Sequence, residues 1–456
     1  MLHSAVRDGE NLAQWRPDLS SEEELKLLEL WRQVFNLFDK HAEAEGNKAV
    51  HLRQVSKWDT AGSESSRRKR NHVGVNPDAK KVEDPFPGMS YEEVRRMFWA
   101  LFKHDHPDHL LLRFLRHQKW DVAKAHEMMI KSEKWRHETR LEEDIMFNGE
   151  QGALNVLKDS NEKHARERAE GFLLQFRKGK NFVHGVDKEG RPIVYIRSRL
   201  HRSSEQPVES IERSIVYTFE TTRLFMNPPV ASALLIFDLT SFGIANMDFF
   251  PIKFMIGLFE NYYPEAFDHV IIHRAPWIFQ GFWKVIRGWI SAEANQHIHF
   301  TNSVSDLENF IPRQNILKEL GGDDNWEYVY EEARPGENEQ LAWTHERDHL
   351  LKERMEVIDK VEQLTCEWAR GVEDGRDVKE IRDRRDIHIK ELRTNYWKLD
   401  PMLRARSVYD RWGVIQADGT IATPVLASRK NQVTVQSFVK GTALPIPRPV
   451  WCSRSW

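Results

Sequence analysis

The chain has 456 residues, 40% of them hydrophobic and 30% charged, with 67 Lys and Arg against 70 Asp and Glu, a net charge of −3. That length holds one large core with appendages, or two modest domains, and the charge balance gives no global field for nucleic acid. Two cysteines, Cys366 and Cys452, cannot build a disulfide framework, which fits a reducing compartment.

Residues 1–19 carry Arg, Asp, Glu and Pro without an apolar stretch, so no signal peptide is expected. No uninterrupted apolar run approaches the ~20 residues of a membrane span. The expectation is a cytoplasmic protein that meets membranes only peripherally. Its 16 Trp and 24 Phe point to a large core, an apolar pocket or a membrane interface.

Residues 21–45 predict an amphipathic helix, with Leu27, Leu30, Val34, Leu37 and Phe38 at helical spacing and Ser20 or Ser21 as its cap. A loop over 60–88 follows, rich in Gly, Ser and Pro. Its run Arg67-Arg68-Lys69-Arg70 reads as a solvated linker, with a nuclear address or an anionic-lipid contact as the alternatives. Ser90 and Glu93 form a capping box opening a helix through Phe102. Pro107 restarts the helix, and Leu110, Leu111, Phe114, Leu115, Trp120, Ala125, Met128, Met129 and Trp135 continue the pattern as a hairpin that breaks near 119–121.

Short apolar runs at 191–197, 232–238, 269–273 and 297–301 then alternate with helical stretches at 209–225, 249–262 and 279–290. The runs at 232 and 269 are nearly continuous in apolar character, as strands buried on both faces are. The fold class is α/β: a helical N-terminal module, then a mainly parallel sheet with covering helices. Residues 339–367 and 377–397 predict two charged helices that pair antiparallel on the α/β domain. The basic stretch from Ala417, ending in Pro-rich sequence, is expected to be disordered.

His109-Leu-Leu-Leu-Arg-Phe-Leu-Arg116, followed by Lys119-Trp-Asp-Val122 and Trp135-Arg136, resembles the N-terminal module of CRAL-TRIO proteins. The series from Asp187 to Tyr195, Phe237-Asp-Leu239, Tyr262-Tyr-Pro-Glu265, Ala275-Pro276 and Leu320-Gly-Gly322 resembles their lipid-binding domain, in order and spacing. The stretches from Ala275 to Phe279, Lys398 to Pro401 and Arg404 to Asp410 are similar to the fungal CSR branch, counted among phosphatidylinositol transfer proteins. On this basis the chain divides into an N-terminal helical extension (1–58), a flexible linker (59–88), the helical module (89–150), the lipid-binding domain (151–325), a C-terminal helical extension (326–416) and a basic tail (417–456).

The resemblance implies a carrier that encloses one apolar or amphipathic lipid and exchanges it at membranes. The pocket it implies is lined by Ala233, Leu235, Phe237 and Ile271 on the strands, Phe254 and Leu258 on a helix, and Phe282. A segment apolar almost all round, with Trp277, Phe279, Phe282, Trp283, Ile286, Trp289 and Ile290, stands where the family carries its gating helix. It is either buried core or a lid whose Lys284 and Arg287 meet lipid phosphates. Of the polar contacts used for phosphatidylinositol, Lys119 and Glu265 are kept. Gln118, Ala266, Ala294 and His297 replace an Arg, a basic residue, a Thr and a Lys, and Ala233 and Leu235 replace the hydroxyl pair of phosphatidylcholine binders. Charge-assisted donors for a phosphate are thus mostly gone. A less polar cargo such as squalene or a sterol-pathway lipid fits better, while His273, Arg274 and His297 offer a substitute head-group site.

No cofactor, metal or catalytic residue is expected. His104, Asp105, His106, Asp108 and His109 crowd one loop, but Asp105 and Asp108 also serve as helix caps. His269 with His273, and His297 with His299, share strand faces and read as backbone-bonded strand ends or as converging ligands. No dinucleotide, P-loop or nucleophile-elbow motif is present. The expected partners are a lipid, a membrane surface such as endoplasmic reticulum or lipid droplets, and, in the alternative reading as a ligand-sensing regulator, a lipid-metabolising enzyme. The expected state is a monomer without nucleic acid.

Overall fold

The computed structural model describes residues 18–46, 84–228 and 230–422. The basic run at 67–70 and the tail beyond 422 lie outside them. Helix α1 (Ser21–Ala44) starts with a reciprocal cap. The Ser20 hydroxyl accepts from the Glu23 N–H at 3.3 Å, and the Glu23 carboxylate accepts from the Ser20 N–H at 2.9 Å. Ser90 and Glu93 repeat this device at α2 (Tyr91–Phe102). Helices α3 (Pro107–His117) and α4 (Val122–Glu138) follow. The turn between them passes through Lys119 and Trp120, both at positive φ, so the chain reverses in four residues.

Asp105 and Asp108 are not caps. His106 caps α3 through Nδ1, leaving Asp108 free to accept from the Trp31 indole at 2.8 Å and to pair with Arg385, while Asp105 pairs with Arg223 at 2.9 Å. These loop residues therefore converge on partners in the core. Among the described residues, no group of three or more His, Cys, Asp or Glu is arranged to hold a metal ion.

Two helices and a strand ahead of the apolar run at 191–197 have no counterpart in the sequence pattern: α5 (Phe147–Asp159), α6 (Lys163–Arg177) and strand β1 (Asn181–Val186). Strand β1 contains a bulge between Val183 and Val186 that breaks its alternation. Then come β2 (Pro192–Arg197), α7 (Val208–Arg223), β3 (Ala233–Asp238), α8 (Phe249–Asn261), β4 (Phe267–His273), α9 (Phe279–Arg287), α10 (Ala292–Gln296), β5 (Ile298–Thr301) and α11 (Val304–Leu307). The sheet has the order β1-β2-β3-β4-β5, antiparallel only at β1–β2 and parallel elsewhere.

Strand periodicity divides the sheet into two faces. Phe182, Ile193, Tyr195, Leu234, Ile236 and Ile271 form one, sealed by Leu307, Ile311, Ile316 and Leu320 from the segment after β5. Ala233, Leu235, Phe237, Val270 and Ile272 form the other, which looks towards α7, α8 and α9.

The last helices, α12 (Thr344–Glu373), α13 (Lys379–Leu403) and α14 (Val408–Arg411), correct one expectation. The α12–α13 pair was expected to rest on the α/β domain. Its stripe of Ile358, Val361, Trp368, Ile389 and Leu392 instead joins one core with Trp31, Phe35, Phe98, Trp99 and Phe102 of α1 and α2. The reason lies in buried charge: Arg385 meets Asp108, and Glu362 accepts from Arg95 and from the Trp99 indole at 2.7 Å each. The end of the pair does meet the expectation: Tyr396 and Trp397 of α13 share a core with Val183, Val194, Ala233 and Leu235 of the sheet, and beyond them the Tyr409 hydroxyl of α14 accepts from the Val183 N–H of edge strand β1 at 2.7 Å.

Candidate functional site

The sheet face carrying Leu235, Phe237, Val270 and Ile272 is not filled by its covering helices. It forms the floor of a cavity in which about 220 Å³ is open to the centre of a water-sized sphere. A single water occupies only roughly 10–15 Å³, so this space is far beyond a packing defect. Ile211, Ser214 and Ile215 of α7 wall one side, and Ile252, Met255, Ile256 and Phe259 of α8 another. The Ser214 hydroxyl is already spent on the Ile211 carbonyl, so that wall is effectively apolar.

Helix α9 covers the cavity with an apolar inner face. Phe279, Phe282 and Ile286 are buried, and Trp283 and Ile290 also line the space. Phe282 stacks on Phe249 at the start of α8 with centroids 4.4 Å apart, and Trp289 meets the same ring edge-on. Lys284, Val285 and Arg287 face out, and Trp277, just ahead of the helix, is 83% exposed. The helix is amphipathic rather than apolar all round, so its outer side differs from a buried core helix.

A polar collar marks one end of the cavity, and its members are satisfied by each other. Lys180 donates to Gln206 Oε1 at 2.9 Å, Asn181 accepts from Thr218 at 3.0 Å, and His201 pairs with Asp248 at 3.0 Å. Asn246 donates to the backbone carbonyls of Arg199 and His201. None of these groups demands an ionic ligand.

Of the seven pocket residues read from sequence, Leu235, Phe237 and Phe282 line the cavity. Ala233 shares their face but packs with Val183, Val194 and Leu224 below it. Ile271 points to the opposite face, because it is out of phase by one residue with Val270 and Ile272. Phe254 and Leu258 of α8 do not line the cavity, whereas Ile252, Met255, Ile256 and Phe259 of the same helix do. Helix α8 is apolar on nearly every side, so its phase could not be read from the sequence. The collar residues Gln175, Lys180 and Asn181 lie on or beside α6 and β1, elements the sequence does not show, while the helix expected at 209–225 supplies the wall of Ile211, Ser214 and Ile215.

The four head-group candidates do not form one site. Lys119 pairs with Glu293 at 2.7 Å, Glu265 with Arg116 at 2.7 Å, and the His297 ring nitrogen meets the Asp268 carbonyl at 2.7 Å, all near the start of β4 and β5. His273 is at the far end of β4, fully buried on the opposite face against the Thr301 hydroxyl at 2.9 Å. Arg274 donates to the carbonyls of Glu319 and Leu320. His269 and His299 meet each other at 3.1 Å, away from His273. Ala294 does line the cavity and contributes a methyl group there.

Residues 176–322 match the CRAL/TRIO domain, and residues 78–131 match the CRAL/TRIO N-terminal domain. The chain is 34% identical over 450 residues to a CRAL-TRIO domain-containing protein of Schizosaccharomyces pombe, spanning 93% of this chain and 97% of that protein. The chain belongs to the CRAL-TRIO family. It is also 35% identical over 395 residues to the phosphatidylinositol transfer protein CSR1 of Eremothecium gossypii, covering 84% of this chain and 87% of that one. The Sec14 cytosolic factor of Schizosaccharomyces pombe is 27% identical over 234 residues, 47% of this chain and 74% of the other. CRAL-TRIO proteins bind and transfer lipids rather than catalyse reactions, and the apolar cavity lies within the matched domain. Among the described residues, no helix is long and apolar enough to cross a membrane.

Proposed function

We propose that this CRAL-TRIO protein carries a single apolar or weakly amphipathic lipid in the cavity between the sheet and α7–α9, and exchanges it at membranes by movement of α9. The observation that carries this reading is the cavity itself, closed by an amphipathic helix. Extracting some twenty to thirty apolar carbons from a bilayer costs on the order of 20 kcal/mol at about 0.8 kcal/mol per CH₂. Only an enclosed apolar wall offsets such a cost, and enclosure requires a door. Helix α9 suits that role. Its inner side seals the cavity, and its outer side offers Lys284 and Arg287 to phosphates beside the exposed Trp277.

The cargo is a lipid with little ionic character, of the squalene or sterol-pathway kind. Lys119 and Glu265 have protein partners, Ala294 presents a methyl group, and the collar around Lys180 and Asn181 is internally satisfied. A phosphate placed there would find Lys180 and Arg197 already paired with Glu205 and Glu319 instead of free charge-assisted donors. In this reading no further cofactor is required. The protein works from the cytoplasm as a peripheral visitor to membranes such as endoplasmic reticulum or lipid droplets.

Two measurements test the proposal. Native mass spectrometry of protein purified from its own host should release one neutral lipid per chain, and co-purified phosphatidylinositol would overturn the cargo assignment. Purified protein alone should move squalene between donor and acceptor vesicles. Absence of transfer, with stimulation of a lipid-metabolising enzyme instead, would replace the carrier by a ligand-sensing regulator.

A further inference from the structure

A second, smaller cavity lies where the N-terminal helices meet the α/β domain, and it shares no lining residue with the large one. Leu110, Arg113 and Phe114 of α3 face Phe219, Thr222 and Arg223 of α7 across it. Its space is about 30 Å³, far smaller than the large cavity.

The wall of this small space is strongly cationic. Arg113, Arg136 and Arg223 all line it, and all are buried, at 6%, 3% and 6% exposure. Lys103 and Arg136 both pair with Glu220, Arg136 also with Glu142, and Arg223 with Asp105. Arg113 has no ion-pair or hydrogen-bond partner among the described residues. The acids that act on it at longer range, Asp105 and Glu265, are already paired with Arg223 and Arg116. Glu133, buried beside the same arginines, stays protonated because burial raises its carboxyl to about 8, so four cations stand against three carboxylates. The Nε–H donors of both Arg113 and Arg223 are buried without a partner.

An unpaired buried guanidinium is destabilising, since arginine does not escape by losing its proton at neutral pH. Water can accept its hydrogen bonds but cannot neutralise it. We infer that this cavity is a binding site for one small monovalent anion, such as chloride, held between Arg113 and Arg223 and clasping the N-terminal helices to the α/β domain. The charge selects the class: one surplus cation is balanced by a halide, whereas a doubly charged phosphate overshoots it.

Two measurements on the full chain decide it. In crystals soaked in sodium bromide, an anomalous peak within hydrogen-bonding reach of Arg113 Nε and Arg223 Nε is expected. A site holding only water there would overturn the inference. In solution, the thermal midpoint should rise by a few degrees and saturate as gluconate is exchanged for chloride at constant ionic strength. Arg113→Met should lose that dependence. Equal midpoints in the two salts, or the same saturable rise with inorganic phosphate, would also overturn it. The bromide experiment uses the unaltered chain, so the outcome stands even if Arg113→Met fails to fold.

Discussion

Arg385 on α13 closes on Asp108 of α3 with two hydrogen bonds of 2.6 and 2.8 Å, across 277 residues of sequence and inside the core. The same guanidinium donates to the Thr365 hydroxyl at 2.7 Å and lies over the Trp31 and Trp368 rings. The pair therefore fixes the C-terminal hairpin to the N-terminal helices in a single register. Removing one partner strands a buried charge, so Arg385→Met should cost about 3–5 kcal/mol in urea unfolding. The double change Asp108→Leu with Arg385→Met should recover most of that loss. Unaltered unfolding of the single variant would show that the pair does not hold the hairpin.

Membrane docking should depend on the outer side of α9 rather than on the rings turned inward. Trp277 and Val285 are 83% and 45% exposed, whereas Trp283 lines the cavity and Trp289 packs on Phe249. Trp277→Asp with Val285→Asp should reduce vesicle co-sedimentation at least tenfold with no loss of folded-state stability. Trp283→Asp with Trp289→Asp should instead disturb closure and lower stability. Equal vesicle binding by the outer double variant and the unaltered chain would count against α9 as the docking element.

These contrasts show where the sequence was legible. Elements with a clear pattern are legible: the capping box at Ser90, the cap at Ser20, the buried strands β3 and β4, and the amphipathic α1 all lie within a few residues of their expected places. Phase was lost where hydrophobicity is not one-sided. Helix α8 is apolar around most of its circumference, so Phe254 and Leu258 could not be told from Met255 and Phe259. Ile271 shows the strand version of the same problem, since β4 packs on both faces and nothing in its composition marks the cavity side. Long-range charge was the other gap. Asp108 looked like a local cap because its partner lies in a helix that the sequence placed elsewhere.

Stability should peak near pH 6.5 if three buried groups dominate its pH dependence. Burial raises the Glu133 carboxyl from 4.5 to about 8, so the folded state holds a proton that the unfolded chain has released. That group lowers stability as pH rises from about 4.5 to 8, by about 1.4 kcal/mol per unit, and is neutral in effect below that range. Burial also depresses His104 and His273 from 6.5 to about 4. Their contribution is present above 6.5 and fades as pH falls towards 4. Below 6.5 the two histidines outweigh Glu133; above it Glu133 acts alone. Glu133→Gln should flatten the limb between pH 6.5 and 8, and an unchanged slope there by chemical denaturation would assign that limb to another group.

Filling the cavity separates carrying from folding. Val270 on β4 points into the space beside Leu235 and Ile298, and its floor position makes it a wall residue rather than part of the closing helix. Val270→Phe adds a ring where the packing is open, so the usual overpacking cost of about 1–3 kcal/mol should be small or absent. Adding apolar contacts to an empty wall is instead stabilising at roughly 25 cal/mol per Å² newly buried. The expected result is a chain that unfolds at the same temperature or higher, keeps its vesicle binding through Trp277, and loses most of its bound lipid in native mass spectra. Leu234→Phe is the matched control, because Leu234 lies one residue out of phase in the sealed face with Ile236 and Ile271 and should lose stability while retaining cargo. If Val270→Phe still carries a full complement of lipid, the cargo does not occupy the floor of this cavity.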